Sequence, residues 1–182
     1  MSKRTKALAR AGLAAALGVT LLYLAGIFPS GKLALICAAG ILTAFVRMDA
    51  GVPWSVGCFA ATAVLALLLL PQKSVGLLYA AFLGYYPILK YALERLRKTS
   101  LRWLCKLAVF NLAFLSMLYL GAFAVAGVLL PGGEWPAMLA SAEQGTMPLL
   151  ILGGNAVFVL YDIALTRVIL FYFRRVSGKL KL

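Results

Sequence analysis

The stretch Leu33–Val46, LALICAAGILTAFV, decides the fold predicted for this chain, because the number of membrane crossings depends on whether it spans. Its 14 residues carry no charge, but a transmembrane helix needs about 20. Three interpretations are open at this point. The stretch crosses a thinned bilayer, it is lengthened by the long side chains of Lys32 and Arg47, or it is partly re-entrant.

The composition around this stretch is that of a membrane protein. Of 182 residues, 64% are hydrophobic and only 13% are charged, and the mean hydropathy is +0.98. A soluble domain has about a quarter of its residues charged. We therefore predict an all-α polytopic membrane protein that forms a single transmembrane domain.

Five further apolar runs complete the predicted set of six spans. They cover residues 11–28, 50–72, 74–91, 107–130 and 147–173. Pro53 suits the first turn of its helix, and Pro87 predicts a kink near the end of the fourth span. Residues 131–146 form the one long external loop.

The distribution of basic residues favours six spans over five, with both termini in the cytoplasm. On six spans, 16 of the 18 basic residues fall on the cytoplasmic side, and only Lys32 and Lys73 fall outside. The positive-inside rule requires this asymmetry. The cytoplasmic residues are Lys3, Arg4, Lys6, Arg10, Arg47, Lys90, Arg95, Arg97, Lys98, Arg102, Lys106, Arg167, Arg174, Arg175, Lys179 and Lys181.

The segment 91–106 alternates leucine with arginine and lysine. We expect a cytoplasmic amphipathic helix that lies on the headgroups with its basic face on anionic lipid. The alternative is a solvated loop whose charges only fix the topology.

Several function classes are disfavoured by the residues. The net charge of +13 sits at the ends of apolar runs rather than on a face interleaved with aromatics, so we expect no nucleic-acid binding. Three cysteines without a histidine make a poor metal site, and we expect no metal and no cofactor. The five acidic residues are scattered and the common catalytic motifs are absent, so we predict neither catalytic residues nor an enzyme. Any ATP-driven step needs a separate partner.

Small residues recur every four positions on the first helix. Ala7, Ala11 and Ala15 form a stripe along which another helix can approach closely. The stripe either docks a partner subunit or packs inside the bundle of the chain itself.

Polar residues within the predicted spans are the candidates for a site, since charges in lipid usually have a partner or a task. Asp162 either forms an ion pair with Lys90, Arg47 or Lys106, or serves a substrate or a proton. Asn111 is expected to form an interhelical hydrogen bond.

A second group of candidates faces outward in the predicted topology. Asn155 follows two glycines that would let a ligand or a neighbouring backbone approach. Tyr79 could line a cavity with Asn155 and Trp135. With Asp162, these are the predicted substrate-binding residues.

The alanine stripe, the turn Pro29-Ser30-Gly31 and the pair Gly154-Asn155 resemble features of a known family. The chain looks like the substrate-binding S component of energy-coupling-factor (ECF) vitamin transporters. The resemblance implies that Ala7, Ala11 and Ala15 contact a coupling subunit that works with ATPases, and that Asn155 contacts the ligand. It also implies a multi-pass protein of a bacterial cell membrane, with an unidentified small-molecule substrate.

Three functional hypotheses follow. The first is a transport-related substrate-capture subunit that needs a separate energising partner. The second is a non-transporting scaffold that recruits partners through segment 91–106, because the chain is also similar in outline to the small membrane scaffold of the rod-shape cell-wall machinery. The third is an ion- or proton-coupled carrier that uses Asp162.

Overall fold

The computed structural model describes residues 2–28, 31–125 and 146–172, and these residues form a bundle of helices. The helices are α1 (Lys3–Ile27), α2 (Lys32–Ala50), α3 (Val52–Leu69), α4 (Lys73–Leu78), α5 (Tyr86–Leu93), α6 (Thr99–Val125) and α7 (Thr146–Tyr172), with a π-helical turn over Tyr79–Leu83 between α4 and α5. The external loop predicted at 131–146, with Trp135, lies almost entirely outside the described residues.

Five of these helices, α1, α2, α3, α6 and α7, are long and apolar enough to cross a membrane. This confirms an all-helical chain with several potential membrane spans. The doubtful stretch Leu33–Val46 is part of α2, which has 19 residues. The predicted fourth span is a broken helix over residues 73–93, so the sixth crossing and the sides of the termini stay predictions.

A single residue, Gly51, connects α2 to α3. Its φ of 94° is positive, and residues with a Cβ atom rarely adopt such a conformation. Glycine therefore allows one residue to join the two helices. Pro53 follows in the first turn of α3, as predicted, because the first turn of a helix has no partner for the missing proline N–H.

The first three helices pack against one another, and the alanine stripe lies within this packing. Ala11 and Ala15 are buried in a cluster with Val46 of α2 and Cys58 of α3. These two alanines therefore pack within the chain, and the docking role of the stripe stays a prediction. Ala7 is half-buried.

The predicted fourth span breaks ahead of Pro87. The N–H of Gly84 donates to the carbonyl of Tyr79 at 2.8 Å, which widens the helix by one residue. Because proline has no N–H, the carbonyl of Leu83 lacks its usual helical donor. The N–H of Ile88 donates to Tyr85 instead, at 3.0 Å, which leaves the carbonyl of Gly84 free as well.

Hydroxyl groups from two neighbouring helices lie within hydrogen-bonding distance of the freed carbonyls, and each hydroxyl has one proton to donate. The Tyr161 hydroxyl of α7 donates to the Leu83 carbonyl at 3.2 Å. The Thr43 hydroxyl of α2 lies 2.9 Å from the Gly84 carbonyl and 2.7 Å from the carbonyl of Gly40 in its own helix. A helix break is tolerated within a membrane when neighbouring helices supply donors in this way. The predicted kink is therefore a site where three helices are joined.

The basic segment 91–106 is not the single amphipathic helix that we expected. Helix α5 ends at Leu93, residues 94–98 form a turn, and α6 begins at Thr99 and continues through Lys106 into the apolar core. The reason is that Lys90 and Lys106 are both buried, so both ends of the segment are drawn into the bundle. Only Arg95, Arg97 and Lys98 in the turn are exposed cations.

A substitution at Gly40 tests how closely α2 approaches the broken helix. A Cβ at this position would lie 2.4 Å from the Leu83 carbonyl oxygen and 2.8 Å from the Tyr161 hydroxyl. We expect Gly40→Ala to destabilise the protein by about 1–3 kcal/mol, as overpacking does. Thermal unfolding in detergent measures the change.

Gly12→Ala is the matched control, because a Cβ at Gly12 meets nothing within 4 Å. This variant should unfold no earlier than the wild type, because alanine is favoured over glycine inside a helix by about 0.5–1 kcal/mol. Equal unfolding temperatures for the two variants would show that the helices do not approach this closely at Gly40.

Candidate functional site

The carboxylate of Asp162 lies at the centre of a buried charge cluster formed by α5, α6 and α7. Its Oδ1 atom accepts from the Tyr86 hydroxyl at 2.6 Å and from the Lys90 ammonium. The Lys106 ammonium donates to Oδ2 at 2.9 Å and to Oδ1 at 3.1 Å. Asp162 is 3% exposed, and each of its carboxylate oxygens has at least one donor.

Lys90 is the most deeply buried cation of the cluster, at 1% exposed. Besides the carboxylate, its ammonium donates to the backbone carbonyl of Asp162 at 2.9 Å and to the Thr166 hydroxyl at 2.7 Å. The Thr166 hydroxyl in turn donates to the same carbonyl at 2.8 Å. All three ammonium protons therefore have acceptors, as a buried cation requires.

Glu94 supplies the second negative charge of the cluster. Its Oε1 atom lies 3.3 Å from Lys90 Nζ and 3.6 Å from Lys106 Nζ. Lys106 also lies 5.3 Å from the ring centroid of Trp103, within the range of a cation–π contact. Two ammonium groups thus face two carboxylates, and the cluster of Lys90, Glu94, Lys106 and Asp162 is neutral.

The predicted ion pair of Asp162 is confirmed with Lys90 and with Lys106. The third candidate partner, Arg47, lies instead over the ring of Tyr91, 5.4 Å from its centroid. Because donors occupy the carboxylate on both oxygens, the cluster as it stands holds α5, α6 and α7 together. The functional role predicted for Asp162 stays a prediction.

Tyr86 and Glu94 belong to the cluster, but the sequence interpretation did not assign them to it. The signal was present, since Tyr86, Lys90 and Glu94 recur every four residues and therefore share one face of a helix. Pro87, which lies within the same segment, indicates a break in the backbone and not a shared polar face.

Asn155 is held by a partner within the chain. Its amide donates to Asn111 Oδ1 at 3.1 Å, and the amide of Asn111 donates back to Asn155 Oδ1 at 3.1 Å. The remaining amide protons bond to the carbonyls of Ile151 and Leu107, each at 2.8 Å. The interhelical bond predicted for Asn111 is confirmed, and together with the bond to Ile151 it occupies both amide protons of Asn155.

Of the four predicted substrate-binding residues, the three that the structure describes are not brought together. Tyr79 is fully buried and its ring packs against Phe59, with centroids 5.9 Å apart. Asn155 and Asp162 lie two turns apart on α7, each with its own partners. Trp135 lies outside the described residues. The structure therefore shows no single site that uses Tyr79, Asn155 and Asp162.

An apolar cavity of about 240 Å³ lies between α2, the π-helical turn, α6 and α7. Five aromatic rings line it, together with small residues such as Ala113 and Gly154. The aromatic residues are Phe82, Phe110, Phe114, Phe158 and Tyr161. The composition of this wall suits an apolar molecule and gives it almost no polar groups to bond.

The aromatic wall of this cavity is rigid by its own packing. The rings of Phe110 and Phe158 stack with their centroids 4.8 Å apart and their planes 9° apart. Phe82 meets both rings edge to face, at 5.2 and 5.5 Å. Such pairs stabilise one another beyond the area they bury, so contacts among the rings themselves hold the wall of the cavity in place.

Within residues 2–28, 31–125 and 146–172, no three histidine, cysteine or acidic side chains are placed to hold a metal ion. Comparison of the chain with known proteins found no matching family model, no matching curated protein and no matching solved structure.

Asp162→Asn tests the charge cluster. The substitution leaves two buried ammonium groups facing one partly exposed carboxylate, and breaking a buried pair costs about 3–5 kcal/mol. We expect a large fall in the midpoint of thermal unfolding. The double variant Asp162→Asn with Lys106→Gln removes one charge of each sign and should regain part of that loss, as coupled neighbours do.

Asp49→Asn serves as the control, since Asp49 pairs with Arg10 at 3.4 Å in a largely exposed ion pair. Such pairs contribute about 1 kcal/mol or less. If Asp162→Asn unfolds no earlier than Asp49→Asn, the cluster does not hold the helices together.

Proposed function

We propose that this chain is a membrane transport-related subunit that captures an apolar small molecule and works with a separate energising partner. The observation that carries the proposal is the aromatic cavity between α2, the π-helical turn, α6 and α7. No catalytic chemistry is needed for this role, and we propose no catalytic step.

The cavity has a size that suits a compact ligand. A buried apolar cavity of about 150 Å³ already binds benzene, so about 240 Å³ has room for a substituted ring or a short hydrocarbon chain. The wall offers stacking faces and almost no hydrogen-bonding groups, so recognition rests on shape and on aromatic contact. This chemistry selects an apolar substrate over a charged one.

The position of the cavity fits capture from the side opposite to the basic end. Its wall on α7 runs from Tyr161 back to Gly154, toward the start of that helix and away from the basic residues. We propose that the broken helix over residues 73–93 is the sixth crossing and that the basic end is cytoplasmic. The cavity then lies between the charge cluster and the external surface.

We propose that the partner contacts α1 at a surface other than Ala11 and Ala15. Ala11 and Ala15 are covered by α2 and α3, so this chain departs from the docking mode that its resemblance to ECF S components implies. The exposed apolar face of α1, with Leu13 and Leu17, is the surface left for a coupling subunit on this helix.

Gly154→Leu tests the capture proposal by filling the cavity. A Cβ at Gly154 points toward the rings of Phe110 and Phe114, at 3.4 and 3.6 Å. A leucine side chain there therefore occupies the space of the ligand. We expect protein purified from its native membrane to carry an apolar small molecule, detected by mass spectrometry, and the variant to lose at least about nine-tenths of it, as a cost of 1.4 kcal/mol implies.

Gly153→Leu is the matched control, one residue away on the same helix, where a Cβ meets nothing within 4 Å. It should retain the bound molecule. Equal occupancy in both variants, or no bound molecule in the wild type, would contradict capture in this cavity. Co-purification with an ATPase or a coupling subunit tests the energising partner separately.

The competing proposal is a scaffold, and the exposed turn between α5 and α6 supports it. Arg95, Arg97 and Lys98 are exposed there and are free to attract an acidic partner. Replacing all three by glutamine should release co-purifying partners if the chain is a scaffold, and should leave the bound small molecule unchanged if it is a capture subunit.

A further inference from the structure

A second pocket, of about 400 Å³, opens beside the charge cluster between α6 and α7. Unlike the aromatic cavity, it is lined mostly by charged and polar side chains. The lining residues are Glu94, Arg102, Trp103, Lys106, Asp162, Ile163, Thr166 and Arg167. Neither the capture proposal nor the scaffold proposal makes use of this pocket.

The pocket has a surplus of positive charge. Glu94 and Asp162 are neutralised by Lys90 and Lys106, at the distances given above. Arg102 and Arg167 then remain, and neither makes an ion pair with any other residue in the part of the chain that the structure describes. Two guanidinium groups thus line one pocket whose two carboxylates, those of Glu94 and Asp162, are already paired with Lys90 and Lys106.

Both helices present these cations on the wall of the pocket. Arg102 lies one turn before Lys106 on α6, and Arg167 lies one turn after Ile163 on α7, so each pair shares a helix face. Guanidinium groups bind phosphate through two parallel hydrogen bonds. The chemistry of the rim therefore suits a phosphate group.

The surface of α7 beside the pocket indicates how the phosphate is presented. Leu160, Ile163 and Arg167 follow one another at spacings of three and four residues, so they form one stripe along the helix. Leu160 is 67% exposed and Ile163 is 47% exposed. An apolar stripe that ends in a cation matches an amphiphile, with its chain along the stripe and its anionic group at the end.

We propose that this pocket binds the phosphate of an anionic lipid headgroup, with Arg102 and Arg167 as its cationic contacts and the acyl chain along Leu160 and Ile163. Basic pockets between membrane helices on the cytoplasmic side bind anionic headgroups in this way. Lipid bound there bridges α6 and α7 next to Asp162, and it stabilises the bundle from outside the cavity.

The test is a titration of the purified full chain in neutral detergent with dioctanoyl phosphatidylglycerol, followed by thermal unfolding. The wild type should be stabilised as the lipid concentration rises. Arg102→Gln with Arg167→Gln should need about 30-fold more lipid for the same shift, since each basic residue near a membrane surface contributes about fivefold. Arg167→Gln alone, at an exposed position that leaves the packing intact, should need about fivefold more.

Arg95→Gln with Arg97→Gln is the matched control, because it removes two exposed arginines that do not line the pocket. It should respond to the lipid like the wild type. An equal loss in this control would show a general charge effect and overturn the site.

Two further probes identify the source of the phosphate. Dioctanoyl phosphatidylcholine, which has no net charge, should stabilise the wild type less than the anionic lipid does. Inorganic phosphate at the same concentration should have no effect that depends on Arg102 and Arg167. If inorganic phosphate stabilises as strongly as the anionic lipid, the pocket takes free phosphate and the lipid assignment is wrong.

Discussion

A carboxylate buried away from water costs several kcal/mol unless donors replace the water around it, and this constraint on Asp162 brings three helices of the bundle together. Two ammonium groups and a tyrosine hydroxyl from α5 and α6 reach it on α7. Lys90 and Lys106 both reach the carboxylate, and the chain between them turns over residues 94–98. The helix break at Pro87 is compatible with this arrangement because Tyr161, the residue next to Asp162, supplies the missing donor to Leu83.

Charge and apolar space are separated along α7. The saturated cluster lies at Asp162, and the aromatic cavity begins one residue earlier, at Tyr161. A ligand in the cavity therefore meets rings, and the charges beyond it are already neutralised. This separation favours an apolar substrate and makes a proton or ion pathway through Asp162 a less direct use of the same residues.

The pattern of apolar runs predicted most of the fold. Hydropathy located the five helices that are able to cross a membrane, and Pro87 located the break. The sequence could not predict which polar side chains pair with each other between helices. Asn155 was expected at a ligand because it follows two glycines, but a single amide in a sequence does not reveal that Asn111 exchanges one hydrogen bond with it in each direction. Likewise, the small-residue stripe of α1 fits any close helix neighbour, and nothing in its spacing distinguishes α2 and α3 from another subunit.

The joint at the broken helix has a consequence for how the chain is assembled during synthesis. The donor for the Leu83 carbonyl lies 78 residues later in the chain, and the carboxylate that neutralises Lys90 lies 72 residues later. Helices α1 to α3 pack on one another without either contact. The contacts among α1, α2 and α3 can therefore form before α7 has been synthesised. We expect residues 73–93 to lack these two partners until the last helix is in place.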